Sequence, residues 1–172
     1  MRPTAAQVAA LLGVEPLPVE GGLFRQTWRG APDGDGRPVG TAIVAMLTDD
    51  PDSFSAMHRL STDEVWHFQL GDPVRMLLIG ADGRHSEPIL GHDLLAGHRL
   101  TVVVPAGTWM GASLAPGGSY GVFACTMSPG FTSGEYEGGT LADLTARCPQ
   151  AAERIAELVR PDEPTTRMPS GL

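Results

Sequence analysis

Two side chains suited to proton transfer, His58 and Glu64, lie six residues apart in the segment SFSAMHRLSTDEVWHFQLG, residues 53–71. Imidazole and carboxyl groups often act as general base and general acid near neutral pH. Side chains alternate between the two faces of a strand, so we expect Glu64, Trp66 and Phe68 to point inward, toward His58. A carboxylate in an apolar interior is unfavourable unless it is paired. Glu64 is therefore predicted either to serve a site or to form a buried ion pair with an arginine.

Arg25, in the motif EGGLFRQT, is the first candidate for that arginine. Its guanidinium could instead hold a carboxylate or phosphate of a ligand bidentately, with Thr27 beside it. A structural ion pair of Arg25 with Glu20 or Glu64 is an equally good interpretation. Arg59 is a second candidate partner for the buried carboxylate.

Of the other polar and aromatic residues, only some are expected to reach the site. Tyr120 is a candidate general acid opposite a histidine base, if its side chain faces inward. His67 is expected to face the opposite side from Glu64, and Cys125 to be a packed thiol that shares a face with Phe123. Aromatic and apolar side chains form most of the wall of a small-molecule pocket. Here we expect that wall to include Trp66, Phe68, Trp109 and Met110.

Short apolar runs separated by turn residues must position these side chains. TAIVAMLT, EVWHFQL, VRMLLIG, LTVVVP and SYGVFACTM alternate with connectors rich in Gly, Pro and Asp, which predicts an all-β sandwich or barrel. Thr4 to Leu12 is a predicted short helix that ends at Gly13. The segment LADLTARCPQAAERIAELVR predicts two helices divided by Pro149. We expect a single domain over residues 1–160 and a disordered tail over 161–172.

The motifs resemble those of cupins, in particular one branch of the RmlC-like cupins. Members of that branch carry EGGYYRET, HRLDSDELWHFYAGDPL, PAGTWQ and GCTVAPGF. The matching segments here are EGGLFRQT, HRLSTDEVWHFQLGDP, PAGTWM and CTMSPGF, in the same order between about Leu11 and Tyr136. The resemblance implies an antiparallel double-stranded β-helix, or jelly roll, with short N-terminal and C-terminal helices. It also implies a homodimer, because related cupins usually pair across a two-fold axis.

The sequence departs from the resemblance where generic cupins bind metal. In those proteins two histidines one residue apart precede a glutamate, and P-x-G-x-x-H supplies a third histidine. The second histidine position is Leu60 here, the third is Met110, and Gln26 replaces the glutamate of the RET motif. A thioether is a poor ligand for manganese, iron or zinc. We therefore expect no cofactor, with a divalent metal held by His58 and Glu64 as the alternative.

Three functional hypotheses follow. The first is a metal-independent isomerase, epimerase or cyclase of specialised metabolism, by analogy with sugar-nucleotide epimerases of the RmlC-like group. In it His58 takes a proton, Glu64 orients or shares it, Arg25 holds an anionic group and Tyr120 returns the proton. The second is a metal-dependent dioxygenase or decarboxylase. The third is a cupin that binds a ligand without turnover.

Composition limits the choice of partner. The 172 residues carry a formal net charge of −8 and a pI near 4.9, which disfavours binding to nucleic acid. No stretch approaches the ~20 apolar residues of a membrane span. Cys125 and Cys148 have no CxxC spacing, so we predict no metal knuckle and no disulfide framework. We expect a cytoplasmic protein whose partner is a small molecule.

Overall fold

Two antiparallel sheets face each other in the computed structural model, which describes residues 2–160 and 166–170. In chain order the strands of this part of the chain are β1 (Glu15–Pro16), β2 (Leu23–Arg29), β3 (Thr41–Thr48), β4 (Phe54–Arg59), β5 (Glu64–Gly71), β6 (Val74–Ile79), β7 (His85–Ser86), β8 (Ile89–Leu90), β9 (Thr101–Val104), β10 (Trp109–Leu114), β11 (Tyr120–Met127) and β12 (Glu137–Gly138). The first sheet has the order β1-β2-β3-β11-β5-β9. The second has the order β12-β4-β10-β6-β7, and β8 pairs with β6. Consecutive strands such as β4 and β5 lie in different sheets, and the predicted all-β architecture is confirmed.

Short helices flank the sheets at both ends of the described chain: α1 (Ala5–Leu12), α2 (Leu141–Arg147) and α3 (Ala152–Glu157). The Thr4 hydroxyl accepts a hydrogen bond from the amide of Gln7 at the start of α1, and Gly13 ends that helix with φ +63°. Pro149 begins a 3₁₀ turn between α2 and α3, because proline cannot continue a helix. The predicted terminal helices are thus confirmed. Within the described residues, no helix is long and apolar enough to cross a membrane.

The main core lies between the two sheets. Its largest pair is Trp66 on β5 and Phe123 on β11, whose rings stack with centroids 4.6 Å apart and planes 11° apart. A second apolar cluster fills the space between the outer face of the second sheet and the helices α2 and α3. A third lies beneath α1 on the outer face of the first sheet. Both outer faces are thus partly covered by helices, and the inner faces remain to enclose the site.

Gly71 ends β5 in a conformation that other residues rarely adopt. Its φ is +96°, and a Cβ atom there would meet the carbonyl oxygen of Tyr120 on the neighbouring strand. The glycine therefore permits both the turn into β6 and the close approach of β11, as expected for the residue that closes the motif 53–71.

The described part of the C-terminal segment lies against the barrel. The carbonyl of Thr166 accepts a hydrogen bond of 2.8 Å from the amide of Gly138, and Met168 is 7% exposed. For residues 166–170 this differs from the predicted disorder. The reason is that the apolar side chain of Met168 packs in the hydrophobic cluster between the two sheets. The remaining residues of the predicted tail, 161–165 and 171–172, lie outside the described residues.

Candidate functional site

A cavity opens between the two sheets. Residues of β2, β3, β5 and β11 line it on the side of the first sheet, and His58 lines it from β4 in the second sheet. Its volume is about 60 Å³, which is room for about five water molecules or a ligand of similar size. The lining residues are Leu17, Glu20, Phe24, Gln26, Thr41, Ile43, His58, Leu60, Glu64, Cys125, Met127, Phe131, Tyr136 and Met168.

His58 is held in one orientation at the cavity wall. Only 2% of the residue is exposed, and its Nδ1 lies 2.7 Å from the carbonyl oxygen of Ala56. A carbonyl only accepts hydrogen bonds, so Nδ1 carries a proton and Nε2 is the basic atom of the neutral ring. The ring of Tyr136 stacks on the imidazole with centroids 5.0 Å apart. His58 is therefore fixed with one nitrogen available for proton transfer.

Glu20 faces that nitrogen. Its Oε2 is 3.9 Å from Nε2 of His58, too far for a direct hydrogen bond. The hydroxyl of Ser55 donates to Oε1 at 2.8 Å, and the amide of Ala56 donates to the backbone carbonyl of Glu20 at 2.8 Å. Val19, just before it, has φ +65°, which is an outlier for a β-branched residue. The surrounding contacts thus hold a strained turn in place and, with it, the Glu20 carboxyl.

Glu64 begins β5 and is 7% exposed. Burial raises the pKa of Glu64 from 4.5 to about 7, and the charge of Glu20 raises it as well. Its interaction with His58 and the hydrogen bond from Trp66 act in the opposite direction. Near neutral pH the side chain therefore exists in comparable amounts as acid and as carboxylate. The side chain of Glu64 points inward, as expected from strand alternation.

Of the residues that line the cavity, only His58 and Glu64 were predicted as site residues, and Cys125, Tyr136 and Gln26 are among those that were not. Cys125 forms a hydrogen bond with Glu64; burial raises the pKa of its thiol well above 9.0, and the two carboxyl groups raise it further. Tyr136 follows a 3₁₀ turn in a loop with no alternation to indicate its direction. Gln26 is exposed on the edge-side strand β2. Cys125 shares a face with Phe123, but the sequence did not show which face of that strand is the inner one.

Two predicted wall residues, Trp66 and Met110, lie in the core beside the cavity. Both are 1% exposed and belong to the apolar cluster between the sheets. Met110 is directly opposite His58 in the pairing of β10 with β4. Phe68, also predicted in the wall, packs against this cluster and lies 5.8 Å from the ring of His92. These residues support the cavity from behind without lining it.

Tyr120 and Trp109 face away from the cavity. Tyr120 packs with Val122 in the cluster beneath α1, on the opposite face of β11 from Cys125. Trp109 lies in the cluster beneath α2 and α3, with the guanidinium of Arg59 4.8 Å above its ring. Strand alternation is the reason in both cases, because each is an odd number of residues from an inward neighbour. The predictions that Tyr120 donates a proton in the site and that Trp109 forms part of the pocket wall are therefore wrong.

The predicted anion-binding residues also lie outside. Arg25 and Thr27 are exposed on β2, where the hydroxyl of Thr27 donates to the carbonyl of Ala42. Arg59 forms a bidentate pair with Glu137 at 2.9 and 3.0 Å. Arg25 and Arg59 therefore do not pair with Glu64. His67 lies 3.1 Å from the hydroxyl of Thr126, outside the cavity lining, as its predicted outward face requires.

Comparison with known protein families shows to which of them the chain belongs. The sequence profile of the family described as Cupin superfamily (DUF985) matches residues 6–138. The chain belongs to this cupin family. No curated protein matches it. The matched region contains Glu20, His58, Glu64, Cys125 and Tyr136, and it ends before the C-terminal helices and Met168.

Solved structures agree with the assignment. The cupin is similar to protein SO0799 from Shewanella oneidensis, with 30% identity and a TM-score of 0.85 over 94% of this chain and 100% of that one. A hypothetical protein from Leishmania major has 29% identity and a TM-score of 0.82, covering 91% and 99%. An oxalate decarboxylase mutant from Bacillus subtilis has 13% identity and a TM-score of 0.53, covering 92% and 40%, a likeness of fold alone. The predicted jelly roll is thereby confirmed.

The residues of this cupin do not fit a divalent metal. No three His, Cys, Asp or Glu side chains of the described chain form a group that could hold one. Leu60 and Met110 occupy the positions where generic cupins have histidines, and Trp66 already donates to one oxygen of Glu64 at 2.7 Å. The imidazole and carboxyl groups that line the cavity, those of His58, Glu64 and Glu20, are thus not arranged as the ligand group that a tightly bound manganese, iron or zinc ion needs. The chemistry of the cavity is therefore derived from its own side chains.

Proposed function

We propose that the cavity binds a small polar molecule and moves a proton on it by general acid–base catalysis, as in an isomerase or epimerase. The observation that carries the proposal is the pairing of a histidine fixed with Nε2 as its basic atom and a buried carboxylic acid whose pKa is about 7. A pair of titratable groups of which the surroundings make one suited to accept a proton and the other suited to donate one is typical of acid–base sites. Both side chains line one cavity.

The proposed step is a proton transfer at carbon. Nε2 of His58 takes a proton from a carbon next to a carbonyl group, and protonated Glu64 donates its proton to the carbonyl oxygen. This gives an enol, an imidazolium and a Glu64 carboxylate. The imidazolium then returns its proton to a carbon of the enol while the carboxylate recovers its own. The product is an isomer of the substrate, and no oxidant or reductant is consumed.

The arrangement around the two groups supports this step. Ala56 fixes the tautomer of His58, and the carboxylate of Glu20, 3.9 Å from Nε2, stabilises the imidazolium that forms. Trp66 orients Glu64 through its hydrogen bond. Cys125 takes no part as a nucleophile, because its raised pKa keeps the thiol protonated.

Hydrogen–deuterium exchange tests the proposal. A panel of small hydroxyketones and aminoketones is incubated with the protein in D₂O, and loss of the C–H signal is followed by proton NMR. We expect exchange on at least one compound, reduced about a hundredfold or more in His58→Gln. The rate should fall as pH rises through about 7, because Glu64 then loses the proton it donates. Glu153→Gln, on the exposed side of α3, is the matched control.

Two outcomes would contradict the proposal. One is binding of panel compounds without any exchange, which would indicate a cupin that only binds its ligand. The other is exchange that persists unchanged in both His58→Gln and Glu64→Gln, which would place the reacting groups elsewhere.

A further inference from the structure

The charges around the cavity are unevenly distributed. Two carboxyl groups, those of Glu20 and Glu64, line it, and no arginine of the described chain does. Two other arginines form ion pairs with glutamates that are not part of the lining: Arg59 pairs with Glu137, and Arg37 donates to Glu135 at 2.7 Å. An anionic ligand would therefore meet negative charge, and no described residue of the lining offers a guanidinium to hold it.

The carboxyl of Glu20 has capacity for a ligand. Ser55 donates to Oε1, and Oε2 lies 3.9 Å from Nε2 of His58, beyond hydrogen-bond distance. The side chain that carries this nitrogen, His58, is only 2% exposed. Oε2 can therefore accept a hydrogen bond from a donor of a ligand in the cavity. The side chain of Glu20 is itself 17% exposed, so it lies on the accessible side of the cavity.

The remaining wall is suited to a small cation. Phe24 and Phe131 line the cavity, and aromatic faces attract an ammonium group through their negative π-faces. The side-chain oxygen of Gln26, also on the lining, is a further acceptor. At about 60 Å³ the cavity has room for a ligand of about five non-hydrogen atoms.

We infer that the cavity takes a small molecule with an ammonium group, which Glu20 binds through Oε2. The ammonium lies at Glu20, and the rest of the molecule reaches toward Glu64. This inference rests on the proposed binding role of the cavity and names its ligand class. It also replaces the expectation that Arg25 holds an anionic group, since Arg25 is exposed outside the cavity.

Three probes of about five non-hydrogen atoms test the inference: butylammonium, 1-butanol and propionate. Dissociation constants are measured by NMR chemical-shift titration near neutral pH. Butylammonium should bind about tenfold or more tightly than propionate, with 1-butanol between them. Glu20→Gln should weaken butylammonium binding about tenfold and leave 1-butanol binding within about twofold.

Two further variants keep the test informative. Glu153→Gln changes the net charge equally but lies on the exposed side of α3, so it should leave the preference unchanged. Gln26→Glu adds a carboxylate on an exposed strand, where folding is not at stake, and should strengthen butylammonium binding several-fold. The second variant replaces Glu20→Gln as the decisive one if that protein fails to fold.

The inference is overturned if propionate binds as tightly as butylammonium, if neither Glu20→Gln nor Gln26→Glu changes the amine-to-alcohol ratio, or if none of the probes binds. The proposed function fails separately. Preference for propionate together with His58-dependent exchange would reject only the inference. Preference for butylammonium together with no exchange on any compound would reject only the acid–base function.

Discussion

The indole Nε1 of Trp66 donates a hydrogen bond of 2.7 Å to Oε2 of Glu64, two residues earlier on the same strand. Residues two apart share a face of a strand, so the two side chains point into the same interior. The tryptophan is 1% exposed and stacked on Phe123, which fixes the direction of its N–H. Trp66 is therefore a positioning residue for the acid, although it does not line the cavity.

Replacing Trp66 with phenylalanine tests this relationship. The hydrogen bond lowers the pKa of Glu64 because it stabilises the carboxylate, so its loss should raise that pKa from about 7 by about one unit. Carbon-13 NMR of the Glu64 carboxyl across a pH series measures the change. Trp109→Phe is the matched control, because Nε1 of Trp109 is buried with no hydrogen-bond partner among the residues that the structure describes. An unchanged or lower pKa in Trp66→Phe would contradict the positioning role.

The stability of the protein should depend on pH through Glu64. Its pKa is raised from 4.5 in the unfolded chain to about 7 in the folded protein. The folded state therefore binds more protons across this interval, and the free energy of unfolding decreases as pH rises from about 4.5 through about 7. The decrease attributable to Glu64 is on the order of 3 kcal/mol.

Urea unfolding at a series of pH values measures this decrease. In Glu64→Gln the side chain does not titrate, so the loss of stability between about pH 4.5 and 7 should be smaller than in the wild type. Glu153→Gln, which removes an exposed carboxyl, should follow the wild-type curve. Parallel curves for the wild type and Glu64→Gln would show that Glu64 is not a high-pKa acid in the folded protein.

Much of the fold was predictable from local signals. Alternating apolar runs and turn residues indicated the strands, Pro149 indicated the break between α2 and α3, and alternation from Trp66 indicated the direction of Glu64. The same alternation places Tyr120 and Trp109 on outer faces. It predicts such a direction from the sequence only when one residue of the strand is already known to point inward. The sequence supplied such a residue for β5 but not for β10 and β11. A one-residue change of register reverses every side chain on a strand.

The rest of the site depends on contacts between distant segments. Glu20 faces His58 because a turn with a strained Val19 approaches β4, and Tyr136 stacks on His58 from a loop. Neither segment has a period that reveals the direction of its side chains. Met168 is a similar case, since its burial depends on a cavity formed by residues far from it in the chain. Such residues are found only when the packing of the whole domain is known.

The thiol of Cys125 should be unreactive in the folded protein. Burial and the neighbouring carboxyl groups raise its pKa well above 9.0, so little thiolate forms near neutral pH. Both Cys125 and Cys148 are buried. Mass spectrometry after iodoacetamide treatment near neutral pH should show neither cysteine modified in the native protein and both modified in urea. Fast alkylation of native Cys125 would mean that its thiolate is accessible and would reopen a nucleophilic role for it.

Met168 should control the size of the ligand that the cavity accepts. Its side chain is 7% exposed and lines the cavity from the C-terminal segment, outside the region that matches the family. Met168→Ala removes part of that wall and should lower the free energy of unfolding by about 2 kcal/mol. It should also improve binding of hexylammonium relative to butylammonium, measured by the same NMR titration. Met168→Leu conserves the apolar volume and should keep the wild-type size preference. If Met168→Ala changes neither stability nor the ratio of the two affinities, the C-terminal segment does not form part of the cavity wall in solution.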